Sequence, residues 1–331
     1  MEEAQTWREL LFKLISVPQE RQRIASRMGV NQLTLTRWAT NRSSPRQENL
    51  VPLLDSLPQY RYVLVDLIKK EFPNFFSQSN ERSEVLLEIP SAFYSRVFAA
   101  LASSVPILRT QSICTLILQQ LLVQLDPHRL GMAAIISQCV PPREGQKVHS
   151  LREVLQRSTL HWENAPENRT QLLGTESLAG YALVSGHAIT IRNREEKLRM
   201  FPTHHRAWEE SAFASPILLA NSTAGCLYLS STQQDHFSQE AKKLILEYVD
   251  LLVMAFVDDE FYNLQDIDLG LMPPGPVQQA LIASFQQRVT DCMIEKARNQ
   301  EPIPRRMAET MVWQELEDRL RQLGSLSKKP S

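Results

Sequence analysis

The sequence predicts a multidomain α+β protein: an all-helical amino-terminal unit, a central region mixing helices with strands, and a helical carboxy-terminal tail. Three observations carry that expectation. Apolar residues recur at helical spacing through the first 72 positions, strand-like apolar runs lie between 130 and 230, and interruptions at 77–83 and 271–276 divide the chain. At 331 residues the chain has room for two or three folded units. The expected parts are a first domain over 1–76, a linker over 77–90, a central domain over 91–262, a Pro-rich linker over 263–275 and a helical extension over 276–331.

The first helix is read from Trp7, Leu10, Leu11, Leu14 and Ile15, which recur at i, i+3, i+4, i+7 and i+8. Val17-Pro18 ends it. Over 21–40 the chain reads RQRIASRMGVNQLTLTRWAT. Ala25 is small enough for two helices to cross closely, and Gly29 falls where a turn needs a left-handed residue. Ile24, Met28, Val30, Leu35 and Trp38 supply the apolar clamp between them. This is the pattern of a helix-turn-helix. Downstream, 40–45 reads as a turn, and Leu50, Leu53, Leu54 and Leu57 form another apolar stripe. Pro52 cannot donate a helical hydrogen bond, so that helix is expected to start near Asn49 or to kink. A further helix over 60–72 is stopped by Pro73.

Residues 6 to about 57 resemble the five-helix DNA-binding domain of the lambda-repressor-like, xenobiotic-response-element type. The resemblance implies double-stranded DNA as partner and a homodimer, since such domains act in pairs on half-sites about one helical turn apart. Local charge agrees. Between Thr6 and Leu50, eight cations (Arg8, Lys13, Arg21, Arg23, Arg27, Arg37, Arg42, Arg46) face three carboxylates, while the whole chain carries a net charge of −1. Taken singly, each arginine reads equally well as part of a solvated helix face.

Gln32, Leu33, Thr36 and Arg37 project from the outer side of the second helix of the pair, the side such motifs lay in the major groove. Gln bonds adenine bidentately and Arg bonds guanine, so Gln32 and Arg37 are the expected base readers. Leu33 suits a thymine methyl, and Thr36 reaches a base edge or a phosphate. Arg21, Arg23, Arg42 and Ser43 are expected to grip the backbone, which positions the domain without reading sequence.

In the central region, 91–103 and 109–125 have helix-period apolar residues, and 130–140 reads as a buried strand. The stretch 141–175 reads as a polar, loop-rich insert. Then come a short helix, a Ser-Gly turn and a strand within SLAGYALVSGHAITIRN (177–193). A hairpin follows, with strands 213–219 and 225–229 about a turn at Asn221-Ser222-Thr223. Ser238 is the expected N-cap of a last helix whose buried side holds Leu244, Ile245, Tyr248, Leu252, Val253 and Phe256.

This order of elements resembles the GAF domain, on the strength of Gly180, Ser185-Gly186-His187, Ser215-Pro216, Ala224-Gly225-Cys226-Leu227-Tyr228 and Phe237-Ser238. The resemblance implies a small antiparallel sheet flanked by helices that holds a small molecule or pairs subunits. No motif usual in the cyclic-nucleotide binders is present, and Cys139 and Cys226 sit within strands rather than on a loop suited to chromophore attachment. His187, Arg192, Arg199, Trp162 and Trp208 are the polar and aromatic candidates for a ligand cavity, with rim or surface positions as the alternative reading. The cofactor is left unassigned.

Other chemistry finds little support. His205 and Glu209 at i, i+4 lack a third metal ligand. There is no phosphate loop, GxSxG elbow or HExxH, and the chain has only ten glycines with which to build such loops. Cys114, Cys139, Cys226 and Cys292 lie far apart and read as buried reduced thiols, whereas a thiol reductase would need an exposed, acidic cysteine. No apolar run reaches the roughly 18 residues of a membrane span, so a cytoplasmic protein is expected. The sequence thus leads to a non-enzymatic bacterial transcription regulator that binds duplex DNA and is modulated at its GAF-like domain by a small molecule or a dimer rearrangement. The alternative is a protein-interaction adaptor with a ligand-free GAF-like dimerisation module.

Overall fold

Among the described residues five helices build the first of two units: α1 (Trp7–Ile15), α2 (Pro18–Met28), α3 (Gln32–Ala39), α4 (Gln47–Ser56) and α5 (Arg61–Glu71). The computed structural model describes residues 5–57, 60–72, 88–159, 170–206 and 208–326. The first unit takes in Met1–Leu86 with Asp126–Gly131 and Thr159–His161; the second comprises Leu87–Leu125, Met132–Ser158 and Trp162–Ser331. Most of the expected linker at 77–90 lies outside the described residues.

Side chains and backbone agree on the helix ends of the first unit. Thr6 accepts from the Glu9 amide to start α1, Pro18 opens α2, and Asn31 accepts from the Leu33 amide to start α3. Gly29 is left-handed at φ 66°, and the Val30 amide returns to the Ala25 carbonyl while the Gly29 amide returns to Ser26. Asn41, at φ 57°, repeats the arrangement after α3, with Arg42 bonded to the Arg37 carbonyl. Both ends are Schellman motifs, which satisfy the last carbonyls of a helix. The core gathers Trp7, Leu11, Ile24, Leu35, Leu50, Leu53, Leu54 and Leu57, all fully buried.

Two expectations for this unit change. Helix α4 starts at Gln47, earlier than expected, and runs through Pro52. The proline costs one bond to the Glu48 carbonyl near the helix start, and the buried leucines on the same helix offset it. Arg8, counted among the cations available to DNA, is instead buried. It donates to Glu71, to the Trp38 and Ser43 carbonyls and to Ser44 Oγ.

The second unit is a mixed α/β fold around an antiparallel sheet. Helices α6 (Ser91–Ser103) and α7 (Pro106–Leu125) lead to strands β1 (Met132–Cys139), β2 (Leu151–Ser158) and β3 (Leu172–Leu173). Next come α8 (Leu178–Ser185), β4 (Ile189–Ile191), α9 (Arg194–Met200), β5 (Ser211–Leu219), β6 (Ser222–Ser231) and α10 (Gln239–Leu252). The sheet order is β3-β2-β1-β6-β5-β4, and β7 (Tyr262–Asn263) pairs with the start of β6. Helices α6, α7 and α10 cover one face over Met132, Ala134 and Ile136; α8 covers the other over Ile135, Cys139 and Cys226. Burial on both faces explains why β1 and β6 read as near-continuous apolar runs.

The insert expected at 141–175 contains β2 and β3, and β2 pairs with β1 across its whole length. Its sequence, LREVLQRS, hides the strand because charged residues interrupt the apolar alternation and one of them, Glu153, points inward. A register shift between Ile136 and Ser137 brings the Ser137 carbonyl so close to Gly225 that any Cβ there would clash with it. The hairpin turn is tighter than expected, since β5 and β6 are joined by Ala220 and Asn221 alone. The helix expected to carry Phe256 on its buried side stops at Leu252, and Asp258–Glu260 forms a separate 3-10 turn.

The tail helices α11 (Gly275–Ile282), α12 (Phe285–Arg298) and α13 (Arg305–Leu326) belong to the second unit. Phe285 stacks on Trp313 at 4.4 Å between ring centres, beside buried Val289, Val312 and Leu316. Where a Pro-rich linker is expected, Ile267 bridges to Val148 and the Gly270 carbonyl accepts from the Thr175 amide. Gln278 is buried and bonds both the amide and the carbonyl of Leu172, so a side chain extends the pairing of the edge strand β3.

Candidate functional site

On α3 the buried residues are Leu35 and Trp38, and the opposite side is open. Gln32 and Arg37 are exposed and Thr36 is half-buried. Leu33 is 63% exposed. Thr36 gives its hydroxyl to the Gln32 carbonyl within the helix.

The cations around this helix divide by what they already bond. Arg21 donates to the Ile15 carbonyl, and Arg23 pairs with Glu20 at 2.6 Å and reaches the Ser56 carbonyl. Arg46 lies 3.5 Å from Glu48. Arg27, Arg37 and Arg42 are exposed, and their side chains have no partner among the described residues. Ser43 is exposed beside Arg42, on the turn that Arg8 holds from beneath. Of the four expected phosphate contacts, Arg42 and Ser43 are therefore the freest.

The second unit holds a cavity of about 340 Å³ beside β6. One side is Tyr228 of β6 with Thr203, His204, Arg206 and Glu209 from the loop before β5; the other is Gln171 with 274–276 and Gln279. Under it lies a buried charge cluster. Lys197 of α9, only 1% exposed, sits 3.1 Å from Glu209 and donates to the Tyr228 hydroxyl, which in turn donates to Glu209. Arg206 lies 3.4 Å from Glu153 of β2, with its guanidinium 6.0 Å from the rings of both Trp208 and Tyr228.

Burial governs the protonation of this cluster. It lowers the Lys197 ammonium, against the pull of Glu209, and raises the Glu153 carboxyl, against the pull of Arg206. The His204 imidazole is pushed down to about 3, first by burial and then by the charges of Lys197 and Arg206, so it is neutral at ordinary pH. Nη1 of Arg206 and Nδ1 of His204 are among the buried polar atoms that find no hydrogen-bond partner in the described residues.

The expected ligand residues stand elsewhere. His187, with Nδ1 against the Ser185 carbonyl, Arg192 and Arg199 are exposed and do not line the cavity. Trp208 is buried next to Arg206, and Trp162 lies outside the described residues. The sequence passes over Lys197, Arg206 and Tyr228. Lys197 sits among charges in REEKLRM and reads as solvated, whereas a tyrosine inside the apolar run of β6 does carry a signal, because a buried hydroxyl needs a partner.

The described residues of 201–210 are not helical, so the i, i+4 spacing of exposed His205 and buried Glu209 puts them on no common helix face. Among the described residues no three of His, Cys, Asp and Glu gather into a metal-sized group, and no helix is long and apolar enough to cross a membrane. Cys114, Cys139 and Cys226 are buried, and burial raises all three thiols, Cys139 to about 12. Cys292 is partly exposed, contrary to expectation.

Several solved GAF-type structures are similar to part of the chain. The GAF domain of a phosphoenolpyruvate-protein phosphotransferase from Acinetobacter matches 52% of this chain and 93% of its own, at 16% identity and TM-score 0.37. A free methionine-R-sulfoxide reductase from Neisseria meningitidis, solved with its substrate, matches 51% of this chain and 92% of its own, at 12% identity and TM-score 0.34. The GAF domain of nlh2 from A. aeolicus, in an inactive state, matches 50% and 93%, at 17% identity and TM-score 0.32. No protein-family model matches the chain, and no curated protein does.

Proposed function

We propose that this protein is a cytoplasmic transcription regulator, not an enzyme, that binds duplex DNA through α3 and responds to a small molecule at its second unit. The observation that carries the reading is the open side of α3, where Gln32, Leu33 and Arg37 stand exposed over buried Leu35 and Trp38. An amide, an apolar group and a guanidinium in one row match the edges of adenine, the thymine methyl and guanine. Arg27 and Arg42 add positive charge that no carboxylate among the described residues neutralises directly, which suits phosphate.

Regulation follows if two copies pair and the small molecule binds two arrangements of the pair unequally, since only differential affinity shifts such an equilibrium. The test is selection of bound fragments from genomic DNA with the full-length protein, followed by anisotropy titrations. Gln32→Ala is expected to relax base preference on the selected duplex, and Arg42→Ala to weaken selected and scrambled duplexes alike. Equal loss on both duplexes for both variants contradicts the assignment. Capture of a protein partner with no enrichment of DNA favours the adaptor instead.

A further inference from the structure

Arg206 and His204 give the cavity of the second unit an unusual character. Arg206 is 8% exposed, and its one ionic partner among the described residues, Glu153, is reached at 3.4 Å through Nη2. Nη1 is out of water with no acceptor among the described residues, and Nδ1 of His204 is likewise buried without a partner there. A buried donor left unmade costs about 1–3 kcal/mol, more when the group is charged, so a ligand that supplies the acceptor recovers this.

We propose that the cavity binds a small carboxylic acid as its anion, with a carboxylate oxygen accepting from Nη1 of Arg206. The assignment rests on the reading of the second unit as a sensor and names what it senses. A carboxylate is favoured over a neutral carbonyl because bonds from a guanidinium to an ionised acceptor are about twice as strong. Neutral His204, in the tautomer with its proton on Nδ1, offers a second donor. At about 340 Å³ the cavity is at the small end of ligand sites, which selects a compact acid over a nucleotide.

The far wall belongs to the tail. Residues 274–276 and Gln279 line the cavity, and Gln278 ties their helix to β3 through Leu172. A bound acid therefore lies between the sheet and α11, and occupancy holds α11 in place.

The experiment uses the full-length protein without DNA, so failure of DNA binding and failure of this inference are separate results. Acetate, pyruvate and benzoate, each against its amide, are titrated to millimolar levels by calorimetry, with hydrogen exchange of α11 followed in parallel. At least one acid is expected to bind saturably where its amide does not, and to slow exchange in α11. Arg206→Met is expected to weaken that acid at least about 10-fold. Should Arg206→Met fail to fold because Glu153 is left unpaired, Thr203→Trp decides: it fills the cavity from an exposed loop position and is expected to abolish binding. Saturable binding by none of the three acids, equal binding of acid and amide, or parent-like binding by a folded Arg206→Met or Thr203→Trp protein overturns the inference.

Discussion

Arg8 and Glu71 join α1 to α5 in the first unit. The guanidinium gives Nε and Nη2 to the carboxylate, while Nη1 reaches the Trp38 and Ser43 carbonyls. Trp7 adds its indole N–H to the same carboxylate. One arginine thereby fixes the turn after α3, where Arg42 and Ser43 are exposed.

Arg8→Met is expected to destabilise the first unit by about 2–4 kcal/mol, because it strands two carbonyls and a carboxylate. Glu71→Gln, at a half-exposed site, costs less, about 1 kcal/mol. Urea unfolding of the full chain reads both. Burial raises the Glu71 carboxyl, but the bonds from Arg8 and Trp7 outweigh it and hold the group below its ordinary value. Its contribution is therefore complete above the ordinary carboxylate value of about 4.3 and is lost as pH falls through the lower folded value. In Glu71→Gln that segment of the acid unfolding curve flattens.

Gly29→Ala is expected to cost about 1–2 kcal/mol, since the left-handed turn that ends α2 admits a Cβ only with strain. The cost comes from φ alone, because no atom crowds the position. Comparison with Ser26→Ala, an exposed site within α2, separates backbone strain from a general loss of helix stability.

These turns also mark how far the sequence can be read. Gly29, Asn31 and the spacing of Leu35 and Trp38 are local signals, set by backbone conformation and helical period, and the structure places α2 and α3 where they lead. The antiparallel sheet flanked by helices is likewise present, Gly186 and Ser238 sit at the helix ends where they are expected, and Ser177 caps the start of α8. The cavity was not legible. Its walls come from Gln171, the loop before β5, β6 and α11, which lie far apart in the sequence. The charges packed against that loop come from α9 and from β2, and β2 disguises itself with an inward glutamate. Pairings such as Arg206 with Glu153 or Lys197 with Glu209 are made by tertiary packing, and no local spacing announces them.

Lys197→Met is expected to cost about 3–5 kcal/mol, because Glu209 is left as a buried charge whose remaining partner is the Tyr228 hydroxyl. The double variant Lys197→Met with Glu209→Leu removes both charges and recovers most of the loss. A double-mutant cycle in thermal unfolding measures the coupling.

Gln278→Leu keeps the bulk of the side chain but removes three hydrogen bonds, two to Leu172 and one to the Pro273 carbonyl. The Leu172 amide and carbonyl are then buried and unpaired, at about 1–3 kcal/mol each. Hydrogen exchange is expected to quicken in 172–173 and α11 while β5 and β6 keep their protection.

The central claim is that the open side of α3, with Arg27, Arg37 and Arg42 around it, lies against duplex DNA. It is tested most directly by the salt dependence of binding to duplexes selected from genomic DNA. Three free cations per copy predict that the logarithm of affinity falls against the logarithm of salt concentration with a slope of about −3 or steeper, and that Arg42→Ala makes it shallower by about 1. A slope near zero, or one that Arg42→Ala leaves unchanged, contradicts the account.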